Sequence, residues 1–243
     1  MKRRQFWGLA DWNARNLACM GLFAIGGFVP LSALAAVQVD FSRGNWEPDD
    51  WKIVKSPRWD YCHGFVQKDG WIENETSQSL SPEQVFKTCG NTVYSGMVWK
   101  DKFSLGSTFT MTTGWDWRMA PLMVIAPELG ISKDGRHPEF REHWEVVVYD
   151  EGLNVWHHYW TQENGAHWIK AASMSLPKDQ RFKPNEKHRL EVRVAKNGKG
   201  RKEMICSCGG FVLQYVDDSI PDSFYVGILG CEGRNFFLDF SAK

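Results

Sequence analysis

The sequence predicts an all-β protein, a two-sheet antiparallel β-sandwich. Three observations carry that expectation. Apolar and polar residues alternate with period two through most of the chain, as in His188–Lys196, where Leu190, Val192 and Val194 interleave with Arg189, Glu191 and Arg193. Turn chemistry built on Gly and Asn separates these runs, and helical periodicity is scarce.

The first element stands apart from the fold. Lys2, Arg3 and Arg4 precede an apolar run from Leu17 to Pro30, and Ser32-Ala33-Leu34-Ala35-Ala36 supplies the small residues that a signal peptidase accepts. Residues 1–36 read as a secretory signal cleaved near Ala35 or Ala36, with Arg3-Arg4-Gln5-Phe6 resembling the core of a twin-arginine export signal. The product is secreted or periplasmic, with no membrane association after cleavage, and residues 37–243 form one domain.

Strands are then expected over Phe103–Thr113, Trp144–Tyr149, Val155–Thr161 and His188–Lys196, with a hairpin turn at Asn197-Gly198-Lys199-Gly200. Met204–Val216, Tyr225–Gly230 and Asn235–Ser241 complete the set. One short helix starts at Ser81-Pro82-Glu83, where a serine cap precedes proline at the first helical position.

Charge and composition narrow the partners. The 243 residues carry 29 basic and 29 acidic side chains, and 25 and 28 remain once residues 1–35 are removed. Neutralising a nucleic-acid backbone takes a basic excess, so nucleic acid is excluded as a partner. Thirteen tryptophans, eleven of them beyond the signal, exceed what a core of this size requires. Flat indole rings stack on the C–H faces of sugars, and carbohydrate is the expected partner. Trp115-Asp116-Trp117-Arg118, read as a loop, offers two rings flanked by charge, and Glu232, Arg234 and Asn235 form a second polar group in the turn after Cys231.

Glu142-His143-Trp144-Glu145-Val146-Val147-Val148-Tyr149-Asp150, the 188–194 strand, Phe224-Tyr225-Val226-Gly227-Ile228 and Phe236-Phe237-Leu238-Asp239-Phe240 follow one another in an order that resembles the concanavalin A-like lectin/glucanase superfamily, including its laminin-G-like and keto-disaccharide-hydrolase-like members. The resemblance covers most of residues 38–243. It implies a jelly roll whose concave sheet binds or cleaves a polysaccharide or oligosaccharide, and it identifies a fold more specifically than an activity.

On the strand around Glu145, one face holds Trp144, Val146 and Val148 and the other His143, Glu145, Val147 and Tyr149. A hairpin joining it to 155–161 is expected to gather His, Glu and Tyr groups, and His143, Glu145, Tyr149, His157 and Tyr159 are the candidate catalytic residues. Glycoside hydrolysis needs two carboxyls, about 5–5.5 Å apart for retention or about 6.5–9.5 Å for inversion. The superfamily's glucanases carry E-x-D-x-E on one strand, whereas Glu145 shares its face with Val147 and Tyr149 only, which weakens the hydrolase reading. Tyr and His beside an Arg or Asn suit elimination from a uronate. Arg189-Leu190-Glu191-Val192-Arg193 superficially matches the R-x-E-x-R strand of alginate lyases and reads as a solvated strand. A hydrolase, a lyase and a non-catalytic carbohydrate-binding module all remain open.

No cofactor is required, although Asp40 and Asp239, on terminal strands expected to be adjacent, are candidates for a structural Ca²⁺ site. Five cysteines follow the signal in an oxidising compartment, so one thiol is expected to stay unpaired. Cys62–Cys89 is one expected bridge. Cys206 and Cys208 share a strand face, and either is placed to reach Cys231, with Cys208–Cys231 the chosen pair.

Overall fold

The computed structural model describes residues 36–44, 46–59, 62–76, 79–89, 94–117, 120–161 and 165–243. Residues 1–35 of the expected signal segment, Arg118 and the side chain of Cys89 lie outside the described residues.

The strands run in chain order as Val37–Asp40 (β1), Trp51–Ile53 (β2), Phe65–Lys68 (β3), Trp71–Asn74 (β4), Tyr94–Trp99 (β5), Phe103–Ser104 (β6), Thr108–Trp115 (β7), Pro121–Ala126 (β8), Leu129–Ile131 (β9) and Pro138–Phe140 (β10). They continue with His143–Tyr149 (β11), Gly152–Thr161 (β12), Gly165–Ser175 (β13), His188–Lys196 (β14), Lys202–Cys208 (β15), Phe211–Val216 (β16), Ser223–Cys231 (β17) and Asn235–Ala242 (β18). Among the described residues one α-helix, Pro82–Cys89 (α1), interrupts them. Its N-terminus is a capping box: Ser81 Oγ accepts from the Gln84 amide at 3.3 Å and Gln84 Oε1 accepts from the Ser81 amide at 2.9 Å.

Two eight-stranded antiparallel sheets make the sandwich. Sheet A has the order β16-β15-β14-β7-β18-β4-β3 with β1 also on β18, and sheet B the order β13-β12-β11-β8-β17-β5-β2 with β6 also on β17. The expected two-sheet antiparallel sandwich is the observed architecture. Alternation decides what fills it: Trp144, Val146 and Val148 of β11 meet Leu190, Val192 and Val194 of β14, Phe109 and Met111 of β7, and Phe237 and Phe240 of β18 in one apolar core. Arg189, Glu191 and Arg193 point to solvent as read from the sequence.

Several boundaries differ from expectation. The single strand expected over Phe103–Thr113 is broken at Gly106, which takes φ 102°, and its second part continues to Trp115. The run Met204–Val216 is a hairpin, reversed at Gly209 and Gly210 with φ of 58° and 84°; two consecutive positive φ angles are what a tight hairpin turn demands and glycine supplies freely. Gly227, in the Val226-Gly227-Ile228 strand, lies so close to β5 that a Cβ there would stand 1.9 Å from the Met97 carbonyl oxygen.

Sheet B is covered on its outer face too. A second apolar cluster joins Leu122 and Val124 of β8, Val147 of β11, Leu229 of β17 and Tyr94 and Val98 of β5 to Val54 and Phe140. The covering segment is fixed by backbone hydrogen bonds from Val54 to Gly96, from Lys55 to Pro138 and from Phe140 to Lys55, with a Lys55–Glu139 ion pair at 3.1 Å. Burial on both faces explains why β8, Pro-Leu-Met-Val-Ile-Ala, is apolar without alternation.

The expected Cys208–Cys231 bridge is corrected, whereas the Cys89 side chain of the other expected pair lies outside the described residues. Cys62, Cys206, Cys208 and Cys231 are unbridged. Cys208 faces the core from β15 in sheet A, whereas Cys231 ends β17 in sheet B and joins the cluster on its outer face, so the pair expected to bond is separated by a whole sheet.

Candidate functional site

The site is set by the register of the β11–β12 hairpin. Only Asp150 and Glu151 intervene between Tyr149 and Gly152, and the paired residue numbers always sum to an odd value: His143 lies opposite His158, Glu145 opposite Trp156 and Val147 opposite Asn154. Cross-strand partners share a face, so odd residues of β11 stand with even residues of β12. The catalytic set expected from the sequence is therefore divided. His143, Glu145 and Tyr149 lie on the outer face of sheet B, and His157 and Tyr159 point the other way. His157 stacks on Trp144 at 4.4 Å and meets Glu142 at 2.9 Å, while Tyr159 stacks on His167 at 5.5 Å. The place expected for His157 is taken by His158, a residue missed for want of the parity of a tight turn.

The same register extends to the edge strand. Trp156 is opposite Lys170 and His158 opposite Trp168, with a bulge after Val155 accommodating the extra residue on β13. The result is a pocket of about 280 Å³ with the buried Glu145 and His158 at its base, lined further by Asn154, Trp156, Trp168 and Lys170 of β12 and β13 and by Arg58, Cys231 and Glu232. Arg58 sits 5.1 Å over the Trp168 ring and Lys170 5.4 Å over the Trp156 ring.

At the base is a buried polar cluster. Glu145 Oε1 accepts from the Tyr94 hydroxyl at 2.8 Å and lies 3.4 Å from His143 Nε2, and its Oε2 lies 3.0 Å from His158 Nε2. The two imidazole rings stack at 4.4 Å with 12° between their planes. His143 Nδ1 meets the Arg141 carbonyl oxygen at 2.6 Å. Burial alone pushes the Glu145 carboxyl up, but the charge and hydrogen bond of His158 and the hydrogen bond of His143 outweigh it and hold the group well below the usual carboxylate range. Burial pulls His143 down, and burial together with the Glu145 charge pushes Tyr94 well above the usual phenol range. Cys231, pushed up by burial and then by Glu232 and Glu145, is held as the neutral thiol.

Other expected site residues have structural positions. Trp115 is fully buried and stacks on His188 at 4.8 Å, because β7 runs two residues further than expected and period two turns residue 115 inward with Phe109 and Met111. It is a core residue, not a platform. Trp117 is 46% exposed. Arg234 bonds Asp116 at 2.9 Å and Thr76 at 3.2 Å on the side of sheet A, away from Glu145. Asn235 is buried, accepting from the Cys231 amide at 2.7 Å and donating its own amide to Asn74 Oδ1 at 2.7 Å, which closes the 231–235 turn. From that group Glu232 alone lines the pocket.

Asp40 and Asp239 are cross-strand partners, as their expected adjacency requires. Their carboxylates serve local backbone: Asp40 caps the 3-10 turn Phe41–Arg43 through the Ser42 amide at 2.9 Å, and Asp239 accepts from the Thr112 amide at 3.0 Å. Among the described residues the one group of three side chains spaced to share a metal ion is His143, Glu145 and His158.

No protein-family model matches the chain, and no curated protein sequence is significantly similar to it. Solved structures share its fold. The lumenal domain of VIP36, in a form bound to Ca²⁺ and Man3GlcNAc, superposes with a TM-score of 0.51 at 6% identity, covering 84% of this chain and 87% of that one. A lectin from Bauhinia forficata in complex with GalNAc gives 0.50 at 10% identity over 86% and 97% of the two chains. The potassium-bound carbohydrate recognition domain of Emp46p gives 0.50 at 11% over 84% and 91%. The fold is the concanavalin A-like jelly roll anticipated from the strand order.

Proposed function

We propose that this protein is an exported carbohydrate-binding protein that seats a sugar ring in the pocket on the outer face of sheet B. One observation carries the reading: Asn154 Oδ1, in a residue 6% exposed, is buried without a hydrogen-bond partner on the pocket wall, which Trp156 and Trp168 also line. A buried acceptor left unpaired costs about 1–3 kcal/mol, which a ligand hydroxyl recovers on binding. Trp168, 49% exposed, offers the flat face that sugar C–H groups require, and Arg58, Lys170 and Glu232 provide partners for hydroxyl or carboxylate substituents. Export rests on residues 1–36, with 37–243 as the functional domain; among the described residues no helix is long and apolar enough to cross a membrane.

Glycan cleavage is a second reading, favoured by the ionisable cluster under the pocket, since buried carboxylates and imidazoles are costly and concentrate at reactive sites. Elimination from a uronate fits the Arg58, Asn154, His158 and Tyr149 set better than two-carboxylate hydrolysis, because Glu145 is already hydrogen-bonded on both oxygens.

The test is calorimetric titration of neutral and uronate oligosaccharides into the wild type and Trp168→Ala, with reducing ends and unsaturated-uronate absorbance followed in parallel. Binding that Trp168→Ala lowers at least about tenfold is expected, roughly the worth of one stacking contact. Binding unaffected by Trp168→Ala and by Asn154→Ala would remove the pocket from consideration. Turnover lost in Glu145→Gln with binding retained would establish the enzymatic reading.

A further inference from the structure

We propose that His143 Nε2, Glu145 and His158 Nε2 form a binding site for one divalent transition-metal ion of the zinc type. The inference rests on the geometry of the pocket floor and is independent of any sugar.

Three ligand atoms lie within 4.8 Å of one another. The carboxylate-to-imidazole separations are 3.4 Å and 3.0 Å. Ligands held about 2.0–2.2 Å from a tetrahedral zinc-type ion stand roughly 3.3–3.6 Å apart around it, so the edge from His143 Nε2 to Glu145 Oε1 already has the length of a coordination shell and the edge from His158 Nε2 to Glu145 Oε2 is slightly shorter. The strand pairing supplies the arrangement: positions 143 and 145 project from one face of β11, and 158 faces 143 directly on β12. Two imidazoles and a carboxylate are a donor set suited to zinc-type ions and unsuited to calcium, which takes oxygen ligands.

Hydrogen bonding at His143 adds a separate argument. The Arg141 carbonyl can only accept, so Nδ1 of His143 is the donor in that 2.6 Å contact. That leaves Nε2 as the ring nitrogen turned to a carboxylate oxygen 3.4 Å away, in a residue 2% exposed. The Arg141 carbonyl and the Tyr94 hydroxyl occupy the outer positions that fix the tautomer of a metal-bound histidine and the orientation of a metal-bound carboxylate. The stacked rings direct their lone pairs side by side, so loading the site turns at least one imidazole to converge on the ion. Glu145 and His158 both line the pocket, which leaves the remaining coordination positions open towards it.

The experiment is equilibrium dialysis of the purified full chain against Zn²⁺ and Co²⁺, read by metal content and by the visible spectrum of the Co²⁺ form. One equivalent is expected, with d–d bands, no thiolate-to-cobalt charge transfer, and displacement by Zn²⁺. Tyr94→Phe, which keeps the ring in place, should weaken binding about tenfold, and His158→Ala by more than about 100-fold. Failure of the folded wild type to retain either ion overturns the proposal without reference to any variant. So does a spectrum dominated by thiolate charge transfer that survives His158→Ala, which would assign the metal to cysteine.

Discussion

His158 Nε2 stands 3.0 Å from Glu145 Oε2 across the β11–β12 pair, with both side chains less than a tenth exposed. Neither residue is directly opposite the other: Glu145 faces Trp156, and the contact is the diagonal of the register. Diagonal neighbours are within reach of long side chains, and here the reach brings an acid from one strand to a base on the next beneath an open pocket.

Removing the acid from that arrangement is expected to destabilise the fold. Glu145→Leu leaves the Tyr94 hydroxyl without its acceptor and two imidazoles stacked without a counter-charge. Breaking a buried charged pair from one side costs about 3–5 kcal/mol. Urea denaturation at neutral pH with chelator present should show that loss, and Glu145→Gln, which keeps one acceptor, should lose less. Equal stability of wild type and Glu145→Leu would mean that the cluster is not charged in the folded state.

Two tryptophans that look alike in sequence should behave oppositely. Trp115 is fully buried against His188, and replacing it with alanine is expected to cost about 3–5 kcal/mol and to lower the melting temperature by many degrees. Trp168, half exposed on the edge strand β13, should change stability by less than about 1 kcal/mol on the same replacement. Differential scanning calorimetry of both variants decides it, and a large loss in Trp168→Ala would show that this ring belongs to the folding core.

Such contrasts mark where sequence reading ends. Alternation was enough to assign Trp144, Val146 and Val148 to the core and Glu145 to the opposite face, because period two is a local property of a strand. The choice between His157 and His158 depended on a single parity fixed by the two residues Asp150 and Glu151, and a one-residue error there exchanges every side chain of β12 between faces. Arg58 and Tyr94 come to the site from segments remote in the chain, through the covering of sheet B by residues 54–59 and the pairing of β5 with β17, and no local pattern announces either. β8 lacks alternation because both its faces are covered, a property of the assembled layers.

The buried thiols give a kinetic prediction. Burial pushes Cys206 and Cys208 up to about 12, so at pH 8 neither supplies a useful fraction of thiolate. Iodoacetamide followed by peptide mass spectrometry should find both unmodified in the native protein and labelled once denaturant is added. Cys62, partly exposed, should react first. Labelling of Cys206 at the rate of Cys62 would require β15 to open without global unfolding.

Acid should expose the contribution of Asp217. Its carboxylate accepts from the Ser219 amide at 2.8 Å, the Ser219 hydroxyl at 2.6 Å and the Tyr215 hydroxyl, and so ties the end of β16 to the turn that leads into β17. Partial burial pushes the carboxyl up, but these donors outweigh it and hold it below its ordinary value of 3.8. A carboxyl lower in the folded state than in the unfolded one binds fewer protons when folded, so stability rises with pH across that interval. The contribution is fully present above about pH 4 and disappears as pH falls through the folded value. Asp217→Asn should therefore lose about 1 kcal/mol at pH 7, the group being partly exposed and its interactions screened, and the difference from wild type should shrink as pH falls below about 3.8. Ser219→Ala, which removes one donor and leaves the charge, should show the same trend with smaller amplitude. Chemical denaturation across pH 7 to 2 measures both, and a difference that stays constant over that range would show that the Asp217 hydrogen bonds do not depend on its charge.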